Sequence, residues 1–394
     1  MKMTEPLLFT PFAIRDIILK NRVVVAPMHQ YAAEKGFPTD WHLMNIGRFA
    51  AGGAGLVFVE STKVDRRGCG TVGDTGLWDD KFITHFRRLA DFIRAHDSVP
   101  AIQLGHSGRK ARRFRPWEGG APLTEAPEGC DDWEEWELVA PSALPGGKSD
   151  PEPRALSNAE VKDLVGMWGE AARRVAEAGF DILEIHAAHG YLIHQFLSPY
   201  ANVRNDEYGG SEENRMRFAT EVVEAVRAYW PADKPLFMRL SVEDNAGWGP
   251  EESVRLAQRV GPMGVDVIDC SSGGMMGSPV VGKDMRPGYN YQVPYAEKLK
   301  RESGVMSMAV GMIVHADQAE KILQDGQADL VALAREILYN PNWPMDAARK
   351  LGLERDFESV PPQQSYWLAK RAQSIEDMVP STYQVGIDGK DGSS

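Results

Sequence analysis

The stretch "HAAHGYLIHQF", residues 186 to 196, places His186, His189 and Tyr191 close together, directly after the apolar run "FDILEI". Two imidazoles side by side can both donate hydrogen bonds to one oxygen, which stabilises negative charge building on a carbonyl or nitro group. A phenol two residues further on can supply a proton. The plainer reading is that the histidines finish a buried strand and the tyrosine packs under a loop. A metal site would need a third ligand, for which Glu184 is nearest. Glu184 and His186 share a strand face while His189 lies past the strand end, so these three make an awkward local triad and no metal is expected.

Those groups need a frame. Short β-branched runs recur along the chain, each followed by a longer amphipathic stretch, as strands alternating with helices do around a parallel sheet. The runs are "VVVAPM" (23 to 28), "GLVFVES" (55 to 61), "PAIQLGH" (100 to 106), "DILEIHA" (181 to 187), "PLFMRLS" (235 to 241), "VDVIDCSS" (265 to 272), "VMSMAVG" (305 to 311) and "ADLVALAR" (328 to 335). Helical periodicity is clearest over 80 to 96, 157 to 179 and 211 to 230, with Ser157/Glu160 and Ser211/Asn214 at expected amino-terminal caps. Eight units without a composition break predict an α/β fold, a single (β/α)8 barrel, rather than an open doubly wound sheet. The main interruption, residues 107 to 156, is rich in Pro, Gly and Trp and is expected to be a long functional loop after the third strand. The barrel is expected to span 1 to 356, with 357 to 394 a carboxyl-terminal extension ending in a frayed tail.

Composition narrows the partners. Across 394 residues, 44 Lys plus Arg stand against 56 Asp plus Glu, a net charge of −12, which argues against nucleic-acid and anionic-membrane surfaces and for a small-molecule substrate. Cys69, Cys130 and Cys270 are scattered, with no C-x-x-C, so neither a disulfide framework nor a cysteine metal cluster is indicated. The opening "MKMTEPLLFTPF" has no signal-peptide pattern and no window is long and apolar enough for a membrane helix, so a cytoplasmic location is expected.

Active sites of such barrels lie at the carboxyl ends of the strands. Those ends carry Pro27, Met28 and His29; Ser61; Gln103 and His106; His186 and His189; Arg239; Ser271 to Gly274; Gly311; and Arg335. Small residues near the last two strands let backbone N–H groups approach a phosphate, and Arg239 and Arg335 can neutralise it, which implies a phosphorylated ligand. Gln103 offers a donor and an acceptor to a ring with alternating carbonyl and N–H edges, such as a flavin pyrimidine, although several phosphate-binding barrels would share these features.

The run "HAAHGYLIHQFLSPYANVRNDEYGGSEENRMRF" (186 to 218) closely resembles the signature of the Old Yellow Enzyme family of FMN-dependent ene-reductases. Further matches follow in family order: "LKNRVVVAPMHQY", "AAGGAGLVFVEST", "IQLGHSGRKA", "LFMRLSVED", "VDVIDCSSGG", "AVGMI" and "DLVALAREILYNPNWP". The paired histidines and "RPWEG" (115 to 119) are most similar to the bacterial branch of xenobiotic reductases and thermophilic-like enzymes. The resemblance implies FMN as cofactor with NADPH or NADH as reductant. It assigns Ala26, Pro27, Met28, His29, Ser61, Gln103, Arg239, Gly311, Ala334 and Arg335 to the cofactor, and His186, His189, Tyr31 and Trp367 to the substrate. His186 and His189 would hold the substrate's activating oxygen and Tyr191 would donate the proton. Two departures stand out: Ala334 where the family's phosphate segment has Gly, and His29 where this branch usually has Cys. A histidine at 29 could donate to the flavin and, if protonated, would favour the reduced anion. "PPQQSYWLAKR" (361 to 371) resembles a segment that crosses a dimer interface, so a homodimer or higher homo-oligomer is expected, with packing of Trp367 on its own barrel as the plainer role.

The expected reaction is reduction of a C=C bond conjugated to a carbonyl or nitro group. The enzymatic rivals are reduction of nitro compounds or nitrate esters and ring modification in a catabolic route; Arg109, Arg112, Arg113 and Arg115 would favour an anionic substrate if they are more than solvated surface. A flavin redox sensor without turnover is a more distant alternative. A Schiff-base aldolase barrel is disfavoured because no lysine sits at any of the strand ends read above.

Overall fold

The structure, a computed structural model, describes residues 5–276, 288–353 and 357–375. Eight parallel strands close into a barrel: β1 (Val23–Val25), β2 (Leu56–Lys63), β3 (Val99–Gly105), β4 (Ile182–Ala187), β5 (Leu236–Ser241), β6 (Val267–Ser271), β7 (Met306–Ala309) and β8 (Leu330–Leu333). Each pairs in parallel with the next, and β8 closes on β1 through Val331–Val23, Ala332–Val24 and Leu333–Val25. The helices between them include α1 (Asp40–Ala51), α2 (Ile83–Ala95), α3 (Asn158–Glu177), α4 (Leu192–Leu197), α5 (Glu212–Tyr229), α6 (Pro250–Val260), α7 (Val293–Ser303) and α8 (Ala316–Gln324). Three more, α9 (Arg335–Tyr339), α10 (Trp343–Lys350) and α11 (Pro362–Ile375), follow the last strand. Both expected caps form: Ser157 and Glu160 bond reciprocally, and Ser211 Oγ accepts the Asn214 N–H at 3.2 Å.

Strand alternation decides what enters the barrel. Val24, Leu56, Phe58, Ala101, Ile182, Phe237, Val267, Met308 and Leu330 pack together inside it, while Val57, Val59, Ile102, Leu183 and Ile268 face the helices. A hairpin, Phe12–Ile14 with Ile17–Leu19, which the sequence reading passed over, adds Ile14 and Leu19 to the inner cluster. Two residues further along each strand, the same inward face therefore carries Gln103, Glu184, Arg239 and Asp269, and two further still His186, Ser241 and Ser271. An apolar floor thus supports a polar layer.

Several strand limits differ from the sequence expectation. β1 stops at Val25, just before Pro27, which has no N–H for a ladder. Arg335 opens α9 instead of ending a strand. β2 runs on to Lys63 because its pairing with β3 shifts register between Val59 and Thr62. The loop after β3 contains only short turns and a two-residue pairing, Val139–Ala140 with Arg154–Ala155, as its composition predicts.

Candidate active site

β4 delivers His186 from its inner face, and the chain then turns sharply, with His189 at φ 59° and Gly190 at φ 71°. The residues that hold this turn come from the same sequence stretch, but the sequence reading gave them no role. His194 Nδ1 accepts the Gly190 N–H at 2.9 Å, and its other nitrogen faces Asp244 at 3.4 Å. Gln195 Nε2 donates to the carbonyls of Gly190 and Ser107, while its Oε1 accepts the Arg109 N–H. From the neighbouring strands, Ser241 Oγ accepts the His189 N–H at 2.9 Å and Ser271 Oγ lies 2.8 Å from His189 Nε2.

The turn brings the expected triad together. The His186 ring centroid is 5.1 Å from that of His189 and 4.9 Å from that of Tyr191, both edge-on. His186 Nδ1 accepts the Ala188 N–H at 3.2 Å, so its proton sits on Nε2. Burial pushes both imidazoles well below their usual range, and the neighbouring cations, Arg239 among them, push the same way. They are neutral hydrogen-bond donors at pH 7. Burial raises the Tyr191 phenol, so it keeps its proton.

Two cavities meet at this point. One, of about 640 Å³, is lined by His189, Tyr191, Arg239, Gly311, Ala334 and Arg335 among others. The second, of about 500 Å³, is lined by His29, Tyr31, Tyr191, Lys110 and Arg113, with the long loop supplying much of its wall. Lys110 and Tyr191 line both. Of the other expected residues, Gln103 donates to Glu184 Oε1 at 2.7 Å inside the barrel, Ser61 Oγ accepts from Lys63 at 3.2 Å, and the Ala26 N–H bonds the Leu333 carbonyl at 2.9 Å. Pro27 and Met28 are half-buried after β1. Trp367 stands apart, 66% exposed and edge-on to Tyr366, which gives no support to packing on its own barrel.

The arginine run is not a single positive patch. Arg109 bonds the carbonyl of Met275, Arg112 stacks on Trp133 at 3.8 Å, Arg113 pairs with Asp150 at 3.1 Å, and Arg115 bonds the Tyr31 carbonyl and Glu118. The expectation that strand ends lack lysine is corrected: Lys63 ends β2 and is fully buried, because the register shift carries that strand two residues beyond Ser61. Its Nζ lies against Ser61 and Asp74. Asp269, passed over in the sequence, lies 3.0 Å from Arg239, and burial raises both its carboxyl and that of Glu184.

The larger cavity fits a flat, phosphorylated cofactor. Arg239 and Arg335 place two guanidinium groups along it, and Gly311 takes φ 115° where a Cβ would press to 2.7 Å from Gln292 Nε2. Beyond the Arg239 Nε–Asp269 Oδ2 ion pair, Glu184 Oε2 and Asp269 Oδ1 have no hydrogen-bond partner, so the polar layer beneath the cavity is incomplete by itself.

The comparisons decide the family. The model of the NADH:flavin oxidoreductase / NADH oxidase family matches residues 7–354. The chain belongs to that family. It is 42% identical over 352 residues to an NADPH dehydrogenase of Geobacillus sp. (strain WCH70), covering 88% of this chain and 95% of the relative. An NADPH dehydrogenase of Bacillus cytotoxicus (strain DSM 22905 / CIP 110041 / 391-98 / NVH 391-98) is 41% identical over 351 residues, 88% and 93% of the two chains. Among solved structures, morphinone reductase in complex with tetrahydroNAD superposes with a TM-score of 0.71 at 26% identity, over 88% of this chain and 92% of that one. The Old Yellow Enzyme homologue from Zymomonas mobilis gives 0.72 at 26% identity, over 88% and 93%. A 2-naphthoyl-CoA reductase gives 0.78 at 26% identity over 91% of this chain, which spans only 54% of that longer protein. This member of the Old Yellow Enzyme family is an NAD(P)H-dependent oxidoreductase with FMN as its cofactor.

Two expected outcomes follow from the local geometry. A Cβ on Gly274, at φ 88°, would overlap the His189 backbone. Gly274→Ala should therefore displace His189 and lower kcat/KM for the oxidising substrate roughly 100-fold, while the visible spectrum still shows bound flavin; unchanged kcat/KM would mean the turn tolerates the shift. The second concerns acid. Burial lowers the pKa of His29, His106, His186, His189 and His194. The unfolded chain thus binds more protons than the folded one below about pH 6.5, so stability is full above that value and falls as pH drops through it toward the folded pKa values. These five rings should outweigh the opposite pull of the raised Glu184 and Asp269 carboxyls, so thermal melts should give a lower Tm at pH 5 than at pH 7; a Tm that rises on acidification would mean that the carboxyls and not the imidazoles set the acid slope.

Proposed function

We propose that this enzyme reduces the C=C bond of a small molecule in which that bond is conjugated to a carbonyl or nitro group. The observation that carries the reading is the cluster of neutral His186, neutral His189 and protonated Tyr191 at the junction of the two cavities. FMN, when bound, would supply the hydride chemistry that links NADPH or NADH oxidation to reduction at the β-carbon of the substrate. The polypeptide prepares that transfer. His186 and His189 donate to the carbonyl or nitro oxygen, drawing electron density from the β-carbon and stabilising the charge that forms on the oxygen. Tyr191 then gives its proton to the α-carbon, which balances the reduction as one hydride plus one proton.

Arg239, Gly311, Ala334 and Arg335 would hold the cofactor along the larger cavity, where alanine at 334 still offers its backbone N–H. Gln103 and Ser61 would meet its pyrimidine side, with Ala26, Pro27, Met28 and His29 on the β1 side. Tyr31 would contact substrate from the second cavity. A homodimer in which Trp367 of α11 reaches a second copy accounts for an exposed indole on a terminal helix. The reading is tested by supplying NADPH and 2-cyclohexenone and identifying the product: cyclohexanone formed in step with NADPH oxidation supports it. Oxidation only with nitrate esters or nitroaromatics would transfer the reading to reduction of nitro groups.

A further inference from the structure

The β2 end carries four buried polar residues, Glu60, Ser61, Thr62 and Lys63, and the mechanism above uses only Ser61. The rest lead to His29. Glu60 is fixed from two sides: its Oε1 accepts from His42 Nε2 at 2.8 Å and its Oε2 accepts the Gln30 N–H. His42 Nδ1 accepts the Thr39 N–H at 2.9 Å, so the His42 proton is on Nε2 and points at Glu60. Glu60 Oε2 then faces His29 Nδ1 across 3.8 Å. On the far side of the same ring, His29 Nε2 lies 3.5 Å from Lys63 Nζ. Lys63 in turn faces Asp74 at 3.5 Å, and Asp74 accepts from the Gly70 and Thr71 N–H groups and the Thr71 hydroxyl. The two ring nitrogens of His29 are thus bracketed by a carboxylate and an ammonium.

We infer that Lys63, anchored by Asp74, is a positioning residue that fixes His29 as the neutral tautomer with its proton on Nδ1. A carboxylate at Nδ1 calls for the N–H there, and an ammonium at Nε2 calls for the lone pair. The bias on Nδ1 is electrostatic, since Glu60 stands at 3.8 Å and no hydrogen bond closes there, whereas Nε2 lies within hydrogen-bond reach of Lys63. His29 stacks on Tyr31 at 5.2 Å and 16° and stands edge-on to Tyr191 at 6.4 Å. Burial and the Lys63 charge both hold the His29 pKa down against the pull of Asp74 and Glu60, and burial pushes the Tyr31 phenol up to about 12. The His29, Tyr31 and Tyr191 face of the second cavity is therefore uncharged and aromatic, suited to stacking a flat ring, while Lys110, Arg113 and Asp150 put charge elsewhere on its wall. The positive charge at this place belongs to Lys63 and not to the imidazole of His29. The link to substrate rests on the function proposed above; the tautomer does not.

The test is nitrogen NMR of the histidine rings in the flavin-loaded, full-length protein with 15N-labelled histidine, His29 being assigned by its loss in His29→Cys. In the wild type, His29 should show a protonated Nδ1 and an unprotonated Nε2, unchanged from pH 6 to pH 8. In Lys63→Met the ring loses one of the two influences that hold its pKa down, so its titration should move to higher pH than in the wild type, and the pH profile of kcat/KM should move with it. A wild-type His29 with its proton on Nε2, or one that titrates in that range, overturns the inference even if the variant does not fold. A Lys63→Met spectrum identical to wild type overturns it as well. Failure of enone turnover alone, with the tautomer as stated, counts against the proposed reaction and not against the role of Lys63.

Discussion

His186→Ala/His189→Ala should lower the rate at which 2-cyclohexenone reoxidises the reduced protein by roughly 10³-fold or more, since removal of a single preorganised oxyanion donor costs about 10² to 10³. Rapid-mixing spectroscopy reads this directly. The two rings act on one oxygen, so the singles should be non-additive, each removing a large part of the effect. The variants should still fold and still bind flavin, because the turn is held by His194, Gln195 and Ser241 rather than by the two imidazole rings alone. Reoxidation within a few-fold of wild type would show that the pair is only the end of a strand.

The other large effect lies at Arg239. Its guanidinium is the cation beside Asp269 at 3.0 Å, and Glu184 lies on the adjoining strand, two residues before His186, which pairs with Arg239 in register. Arg239→Met leaves a buried carboxyl without its cation, a loss of roughly 3–5 kcal/mol, and removes a guanidinium from the larger cavity. The variant should purify colourless and melt well below wild type. Arg239→Met/Asp269→Asn separates the two effects: neutralising Asp269 should recover much of the stability without recovering flavin. Full flavin retention in the double variant would take Arg239 out of the cofactor site.

Much of this was legible in the sequence because periodicity and strand-end chemistry are local signals. Eight β-branched runs mark the barrel, and a carboxyl-end rule is enough to pick out His186, His189, Arg239 and Gly311. What was not legible depends on tertiary register and on satisfaction of polar groups. Lys63 reaches the site only because β2 slips against β3 between Val59 and Thr62. Asp269 looks like an interruption in an apolar strand until alternation turns it inward beside Arg239. His194 and Gln195 sit in the very stretch that drew attention, yet their work is to hold backbone, which residue type does not announce. The arginine run of the long loop misleads in the opposite direction, since carbonyls, an indole and carboxylates satisfy it.

The most direct measurement is an anaerobic single turnover: reduce the protein with one equivalent of NADPH, add one equivalent of 2-cyclohexenone, and follow the flavin band while assaying the product. The account predicts full return of the oxidised spectrum with one cyclohexanone formed per flavin. A flavin that NADPH reduces but that stays reduced in the presence of the enone would contradict it.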